Sequence, residues 1–432
     1  MSASDERTAG GSPALSKPDG EPVSFMDPEI SECPYEAYQA ARDEAPVYYD
    51  PVGGFYVLTR YEDIRAALLD VETYSCQNYF DKLRSHSQAE RARQAEERFR
   101  TEGWLPGPSI LQLGPERHKP LRAVFDGALR AGKVREMEPF VRETAYQLVD
   151  EFAADGQADF VAQFAMPFPL IVIITQVGAP KKDMWRIKEW TEAWINRIGL
   201  MLDDEQDARA VGLEIEFQHY MMDIVRRLRS NPDDTILSDL VNSPMPDGGM
   251  IEDGEMLTHI LSDLLVGGSE TTTNALSSGI MLMCRNPEVQ AALREDRDAH
   301  LRTFVEEVLR LESPVQGLFR VAGRTFDLHG VTIPEGAMIH LRYGAANRDE
   351  RQFGCPAELD LARRNAATHV AFGSGPHHCV GATLARRELQ FGFSAMLDRM
   401  RDIRLAEGND FAHMHSVSHR ALKRLLIEFD PA

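Results

Sequence analysis

The stretch Phe372-Gly373-Ser374-Gly375-Pro376-His377-His378-Cys379-Val380-Gly381, followed by Ala-Thr-Leu-Ala-Arg-Arg-Glu-Leu, constrains this chain more than any other. Gly373 and Gly375 admit backbone shapes that other residues resist. Val380, Leu384 and Phe391 fall at helical spacing, so a helix starts just after Cys379. Its free N–H groups and positive dipole end then face the sulfur, a setting that favours a thiolate. Gly381 leaves room for a flat, bulky partner against that helix. Taken alone, these residues also suit an inert buried cysteine in a turn. They suit zinc held by His377, His378 and Cys379 as well, although further spaced ligands are missing.

A second long feature lies upstream. Glu252 to Asn286 reads as one helix ended by Pro287. At ~1.5 Å per residue it crosses a whole domain. Inside it sits Gly267-Gly268-Ser269-Glu270-Thr271-Thr272. Each mid-helix glycine costs about 1 kcal/mol relative to alanine. Glu270 and Asp263 interrupt an otherwise apolar face, and such local expense marks candidate functional positions.

The surrounding pattern is mostly helical from about 118 to 312. Val47 to Leu58 reads as a hairpin and Tyr61 to Leu69 as a helix. Residues 82 to 103 read as a solvated helix or loop face. After 313, short runs over 324–328, 331–333 and 338–343 alternate with Gly and Pro, and 425–429 ends as a strand. The pattern predicts a mainly α domain with small antiparallel β-sheets, hence the α+β class. Residues 1–24, rich in Ser, Gly, Pro and charge, are expected to be a disordered tail before a single domain over 25–432.

The 432 residues carry a formal net charge of -21, which argues against broad nucleic-acid binding. Only a local basic patch could dock a partner. Cys33, Cys76, Cys284, Cys355 and Cys379 are far apart and form no CxxC pair. A reducing, cytoplasmic compartment is therefore expected. The N-terminus has no apolar signal core. The longest strongly apolar run, Phe164 to Ile174, falls short of the ~20 residues of a spanning helix and carries Pro167 and Pro169. No membrane segment is expected.

The cysteine stretch resembles the haem-binding loop of the cytochrome P450 family, F-G-x-G-x-H-x-C-x-G. Every fixed position is met from Phe372 to Gly381, with Leu384-Ala385-Arg386 downstream. The resemblance implies the family's fold, with haem b buried between the long central helix and the cysteine-bearing loop and helix. It implies that Cys379 is the iron ligand, that Phe372, Gly373 and Gly381 form the haem pocket, and that His377 helps hold a propionate. A thiolate ligand pushes electron density onto iron and favours O–O cleavage. The glycine stretch of the central helix resembles the family's A/G-G-x-D/E-T. Gly267 is then implied to give dioxygen and substrate room, Thr271 to hydrogen-bond the oxygen, and Glu270 to relay protons. Protons must arrive while bulk water stays out.

Glu307-Val308-Leu309-Arg310 is similar to the family's ExxR. Its partner stretch is Leu359-Asp360-Leu361-Ala362-Arg363, with Leu where Phe is usual. Glu307, Arg310 and Arg363 are implied to form a buried structural network. Asn347-Arg348-Asp349-Glu350 also fits, with Glu350 where Pro is common. His118 and Arg122, one helical turn apart, match H-x-x-x-R, and Arg320 matches another propionate contact. With His377 they would make a cationic clamp.

The resemblance implies insertion of one oxygen atom from dioxygen into a small apolar organic substrate, usually by C–H hydroxylation. No flavin or ferredoxin module fits, so a separate ferredoxin and NAD(P)H-dependent ferredoxin reductase are expected as partners. Lys119, Arg130, Lys133, Arg135, Arg386 and Arg387 are candidates for the docking face. Ile110, Leu111, Leu264, Val266, Gln316, Leu318 and Val417 are candidate pocket walls, and 160–230 a mobile lid. The alternatives are a peroxide-driven peroxygenase, which has no need of Glu270 and Thr271, and a haem-binding sensor or carrier. Neither a nucleic acid nor a membrane is expected as a partner.

Overall fold

The computed structural model describes residues 11–17, 19–77, 86–198 and 202–432. Val47–Asp50 (β1) and Phe55–Leu58 (β2) form the hairpin, with Val47 opposite Leu58 and Asp50 opposite Phe55. Asp50 is the reason the turn closes. Its buried carboxylate accepts from the N–H groups of Val52 (3.0 Å) and Gly53 (2.9 Å). It also accepts from the Ser24 hydroxyl (2.9 Å) and the Phe25 N–H (2.7 Å).

The Ser24 bond and the packing of Leu15 and Val23 correct the expectation of a disordered tail over 1–24 for its described residues. Leu15, Val23 and Phe25 pack with Tyr38 and Tyr48 in a cluster of their own. The Ser12 hydroxyl donates to the Val47 carbonyl and accepts from the Tyr49 N–H. The composition is that of a loose segment, but the buried Asp50 needs donors and this segment supplies them. Residues 1–10 lie outside the described residues.

The main sheet has the order β1-β2-β8-β5-β3, with β3 at Tyr74–Ser75, β5 at Leu318–Ala322 and β8 at Met338–Leu341. Its β2–β8 pairing is parallel, and the other pairings are antiparallel. Phe326–Leu328 (β6) pairs with Val331–Ile333 (β7). Leu426–Pro431 (β10) lies between Gln157–Asp159 (β4) and Met400–Leu405 (β9).

Eight helices matter for the site. They are α1 (Pro115–Ala128), α2 (Ala131–Asp150), α3 (Pro167–Gln176), α4 (Met184–Ile198), α5 (Asp204–Ser230), α6 (Gly267–Arg285), α7 (Arg297–Glu312) and α8 (Ala382–Arg399). The apolar run of the sequence becomes α3, buried on every side except at Thr175, which is how an all-apolar helix sits in a large core. Among the described residues no helix is long and apolar enough to cross a membrane.

The central helix departs from uniform α geometry. It is α-helical over Asp253–Thr258, π-helical over His259–Val266, then α-helical again as α6. π-turns inside helices occur frequently at functional sites. α6 is locked onto α8 by two reciprocal contacts. A Cβ on Gly279 would stand 2.2 Å from the Phe393 ring, and one on Gly392 would stand 2.9 Å from Leu276. Only glycine permits so close an approach, and it fixes the central helix relative to the cysteine-bearing helix.

Candidate active site

The loop before α8 is shaped by two left-handed residues, Gly373 (φ 67°) and Gly375 (φ 67°). A Cβ on Gly375 would also lie 2.6 Å from the Leu68 carbonyl oxygen. The Cys379 N–H closes the loop by donating to the Phe372 carbonyl at 2.9 Å. Gly381 caps α8. Cys379 is solvent-accessible, while Ala382 and Leu384 just after it are buried.

Burial pushes the Cys379 thiol above its ordinary range. The N–H groups of Gly381 and Ala382, with Arg122 and Arg386, pull the other way without prevailing. The expectation that the helix end alone stabilises a thiolate is therefore corrected. This sulfur suits a metal ion, whose charge removes the proton outright. Among the described residues no three His, Cys, Asp or Glu side chains converge on one point. Zinc through His377, His378 and Cys379 has no coordination set here, whereas a metal that brings its own planar ligand needs only the one sulfur.

Two glycines leave backbone uncovered near these elements. Gly267 is exposed while its neighbours Leu264, Leu265 and Ser269 are buried. A Cβ there would meet only the Ser262 carbonyl, at 3.5 Å. A Cβ on Gly381 would meet only the Cys379 sulfur, at 3.9 Å. Gly268 is different. It receives Ile173 of α3, 3.2 Å from a built Cβ, so it serves helix packing.

Two arginines and two imidazoles gather on one edge. The rings of His118 and His377 lie 4.0 Å apart between centroids. Burial, with His118, Arg320 and Arg122, pushes the His377 imidazole down to about 3. Burial and Arg122 lower His118 too. Arg122 donates to the carbonyls of Pro376 (3.2 Å) and His378 (2.5 Å) and pairs with Asp126. Bound carboxylates would pair with the arginines and accept from the imidazoles, and haem carries two. The donor set fits haem on both counts, the lone sulfur and the edge of arginine and imidazole donors.

Glu307, Arg310 and Arg363 come together as a buried set. Arg310 grips Glu307 with both fork nitrogens, at 2.6 and 2.9 Å. It also donates to the carbonyls of Asn347, Pro356 and Glu358. Arg363 joins Glu307 at 3.1 Å and holds the Gly354 carbonyl at 2.6 Å. The segment 354–358 is thereby tied to α7.

Sequence reasoning missed Glu306. Its carboxylate pairs with Arg386 (2.7 Å) and His369 (3.1 Å), and Arg386 lies over the Phe372 ring at 4.5 Å. Burial opposes ionisation, yet the bonds from His369 and Arg386 bring Glu306 down to about 2. A carboxylate depressed on folding stabilises above its unfolded pKa and loses that contribution as pH falls. The gap between 4.5 and about 2 corresponds to about 3 kcal/mol. Acid titration of stability should show this loss between about pH 5 and pH 2, and Glu306→Gln should flatten that part of the curve; an unchanged slope in the variant would refute the assignment.

The docking candidates are corrected in part. Arg386 is committed to Glu306. Lys133 is buried and pairs with Asp239, which Arg130 also approaches. Arg387 pairs with Glu138. Among the described residues, Lys119 and Arg135 are the exposed cations of that set without an acidic partner.

On the central helix, the Thr271 hydroxyl donates to the Gly267 carbonyl at 3.1 Å. Glu270 pairs with Lys188 of α4, 82 residues away in sequence. Lys188 also reaches Glu192 at 3.3 Å. His419 feels the Glu270 charge, but burial holds its imidazole below the ordinary range. Nothing in the sequence links Lys188 or His419 to Glu270.

The wall candidates lie in different surroundings. Ile110 and Leu264 are buried in the main core and Val266 is half-buried. Leu111 is 41% exposed. Leu318 and Val417 pack on two separate clusters. Gln316 is corrected outright. Its amide oxygen accepts from the Tyr38 hydroxyl (2.6 Å) and its nitrogen donates to the carbonyls of Glu312 and Ser313, so both ends are spent.

A family model described as Cytochrome P450 matches residues 77–407. The chain is 31% identical over 406 residues to Cytochrome P450 107B1 of Saccharopolyspora erythraea, covering 93% of this chain and 96% of that protein. It is 30% identical over 402 residues to Vitamin D(3) 25-hydroxylase of Pseudonocardia autotrophica, covering 92% and 94%. The solved structure of Cytochrome P450 CYP109Q5 from Chondromyces apiculatus matches with a TM-score of 0.81 at 26% identity, covering 95% of this chain and 98% of that one. With a sulfur set for a metal that brings its own plane of ligands, and with relatives matched along nearly their whole length, the chain belongs to the cytochrome P450 family and is a monooxygenase that binds haem b.

Proposed function

We propose that this monooxygenase hydroxylates an unactivated C–H bond of a small apolar organic molecule. Electrons would come from NAD(P)H through a separate reductase and ferredoxin. The observation that carries the proposal is the acid–alcohol pair Glu270 and Thr271 beside exposed Gly267 on the central helix. A relative whose name is Vitamin D(3) 25-hydroxylase supports hydroxylation as the reaction class.

Haem b, when bound, would supply the activation of dioxygen, in which two electrons and two protons leave one oxygen atom in the product and the other in water. Cys379 would give its sulfur to the iron, and His118, Arg122, Arg320 and His377 would hold its carboxylates. Thr271 has one donor and two acceptor sites. Its proton rests on the Gly267 carbonyl, which leaves the lone pairs to accept from a water or an acid. Rotation about Cβ–Oγ1 then hands a proton onward. Lys188 supplies the charge that lets Glu270 remain in a half-buried place. Lys119 and Arg135 are the cations left to meet an acidic ferredoxin.

Glu270→Gln should cut turnover roughly a hundredfold, the usual weight of a positioned acid–base group. Substrate affinity by optical titration should stay within about twofold. The reaction itself is tested under labelled dioxygen with ferredoxin, reductase and NAD(P)H. One labelled atom per product supports the proposal. Label drawn from water, or product formed only with added peroxide, refutes it.

A further inference from the structure

Asp263 stands seven residues before Glu270 on the central helix, and its carboxylate serves partners that Glu270 does not share. It lies in the π-helical stretch and binds a different segment. One carboxylate oxygen accepts from the Ser109 hydroxyl at 2.6 Å, the other from the Ile110 N–H at 3.1 Å. The His259 ring, fully buried, donates to the second oxygen at 2.7 Å. Ser262 adds a longer bond at 3.3 Å.

The segment it holds has little structure of its own. Residues 104–114 contain Pro106 and Pro108 and only the short turn Ile110–Gln112, capped by Ser109. A segment so poor in backbone bonds takes its position from outside. It leads directly into α1, which carries His118. A second tie runs parallel to the first: Glu255 faces His259 at 3.8 Å and accepts from Arg117 of α1 at 2.8 Å. The groups around His259 are thus Asp263 and Glu255 on its own helix, Arg117 beyond Glu255, and the Phe125 ring at 5.3 Å. Burial opposes a charge on His259, but the two carboxylates bring it up to about 9. At neutral pH a cation therefore backs the buried Asp263 carboxylate.

We infer that Asp263, backed by His259, is a positioning residue that pins the 109–113 segment to the central helix and thereby sets which ligand sizes the distal side admits. The inference rests on the proposed reading of that side as the substrate side. A carboxylate serving two donors from one segment fixes both its height and its rotation, and Ile110 and Leu111 follow directly from the pinned atoms.

Two probes separate positioning from general damage. Imidazole reaches only the iron, whereas 4-phenylimidazole also needs the wall. Both are titrated optically into the haem-loaded protein, and amide exchange of the peptide 105–114 is followed alongside. Asp263→Asn and Ser109→Ala should each weaken 4-phenylimidazole about tenfold, the weight of a hydrogen bond to a charged group, and raise exchange of 105–114 by a similar factor. Imidazole should change less than about twofold. Ser109→Thr, which keeps the hydroxyl, should retain the parent ratio of the two affinities. A ratio within about twofold of the parent in Asp263→Asn and Ser109→Ala overturns the inference, and so does equal weakening of both azoles. If the parent binds neither azole, the reading of the distal side fails. The pin is then judged by exchange alone, and unchanged exchange in both variants overturns it.

Discussion

Arg310→Met should destabilise the protein by about 3–5 kcal/mol, the cost of breaking a buried ion pair from one side. The loss is large because Arg310 serves several groups at once. Glu307 is fully buried and loses its two-pronged partner. The carbonyls of Asn347, Pro356 and Glu358 lose their donor in the same stroke. The ring of Phe353, 5.1 Å beneath the guanidinium, loses its cation. Arg310→Lys should rescue little, since an ammonium cannot reproduce the planar fork. Urea unfolding measures the effect. A cost below about 1 kcal/mol would show that the network is dispensable.

Cys379→Ala should behave in the opposite way, with a small effect on the fold and a very large one on activity. The loop is closed by backbone, through the Cys379 N–H and the Phe372 carbonyl, so alanine leaves its geometry in place. What disappears is the sulfur proposed to bind the metal. Product formation supported by NAD(P)H should fall at least about a thousandfold, equivalent to about 4 kcal/mol of transition-state stabilisation. The thermal midpoint of the haem-free protein should shift by no more than about 4 °C. Retained activity would remove Cys379 from the chemistry.

These two sites show what was legible in the sequence. The Cys379 loop is local, and its glycines, cysteine and helix start sit side by side in the chain. Its consequences could be read directly, apart from the sign of the thiol shift, because burial is a property of the whole fold. Glu307 and Arg310 were legible as a pair on one helix face. Their carbonyl partners at 354–358 were not, since backbone acceptors leave no trace in residue identity. Glu306 went unnoticed beside Glu307 because adjacent acids look alike until one is seen to meet His369 and Arg386. Lys188 escapes the sequence and Lys133 misleads it for a shared reason. A lysine's identity does not reveal whether its ammonium reaches solvent or an acid far along the chain. Gln316 was misassigned because position in the fold was taken for orientation, and its amide turns to Tyr38. Residues 11–24 were misread because composition reports what a segment can bury by itself and says nothing of a buried Asp50 that needs its donors.

The central claim is that Cys379 gives its sulfur to haem iron. The purified protein is reduced with dithionite and saturated with carbon monoxide, and its Soret band is recorded beside that of Cys379→Ala. The parent should show the strongly red-shifted band of thiolate-ligated haem, and the variant should lack it. A parent band of the histidine-ligated type, or a thiolate-type band that survives in Cys379→Ala, would contradict the account.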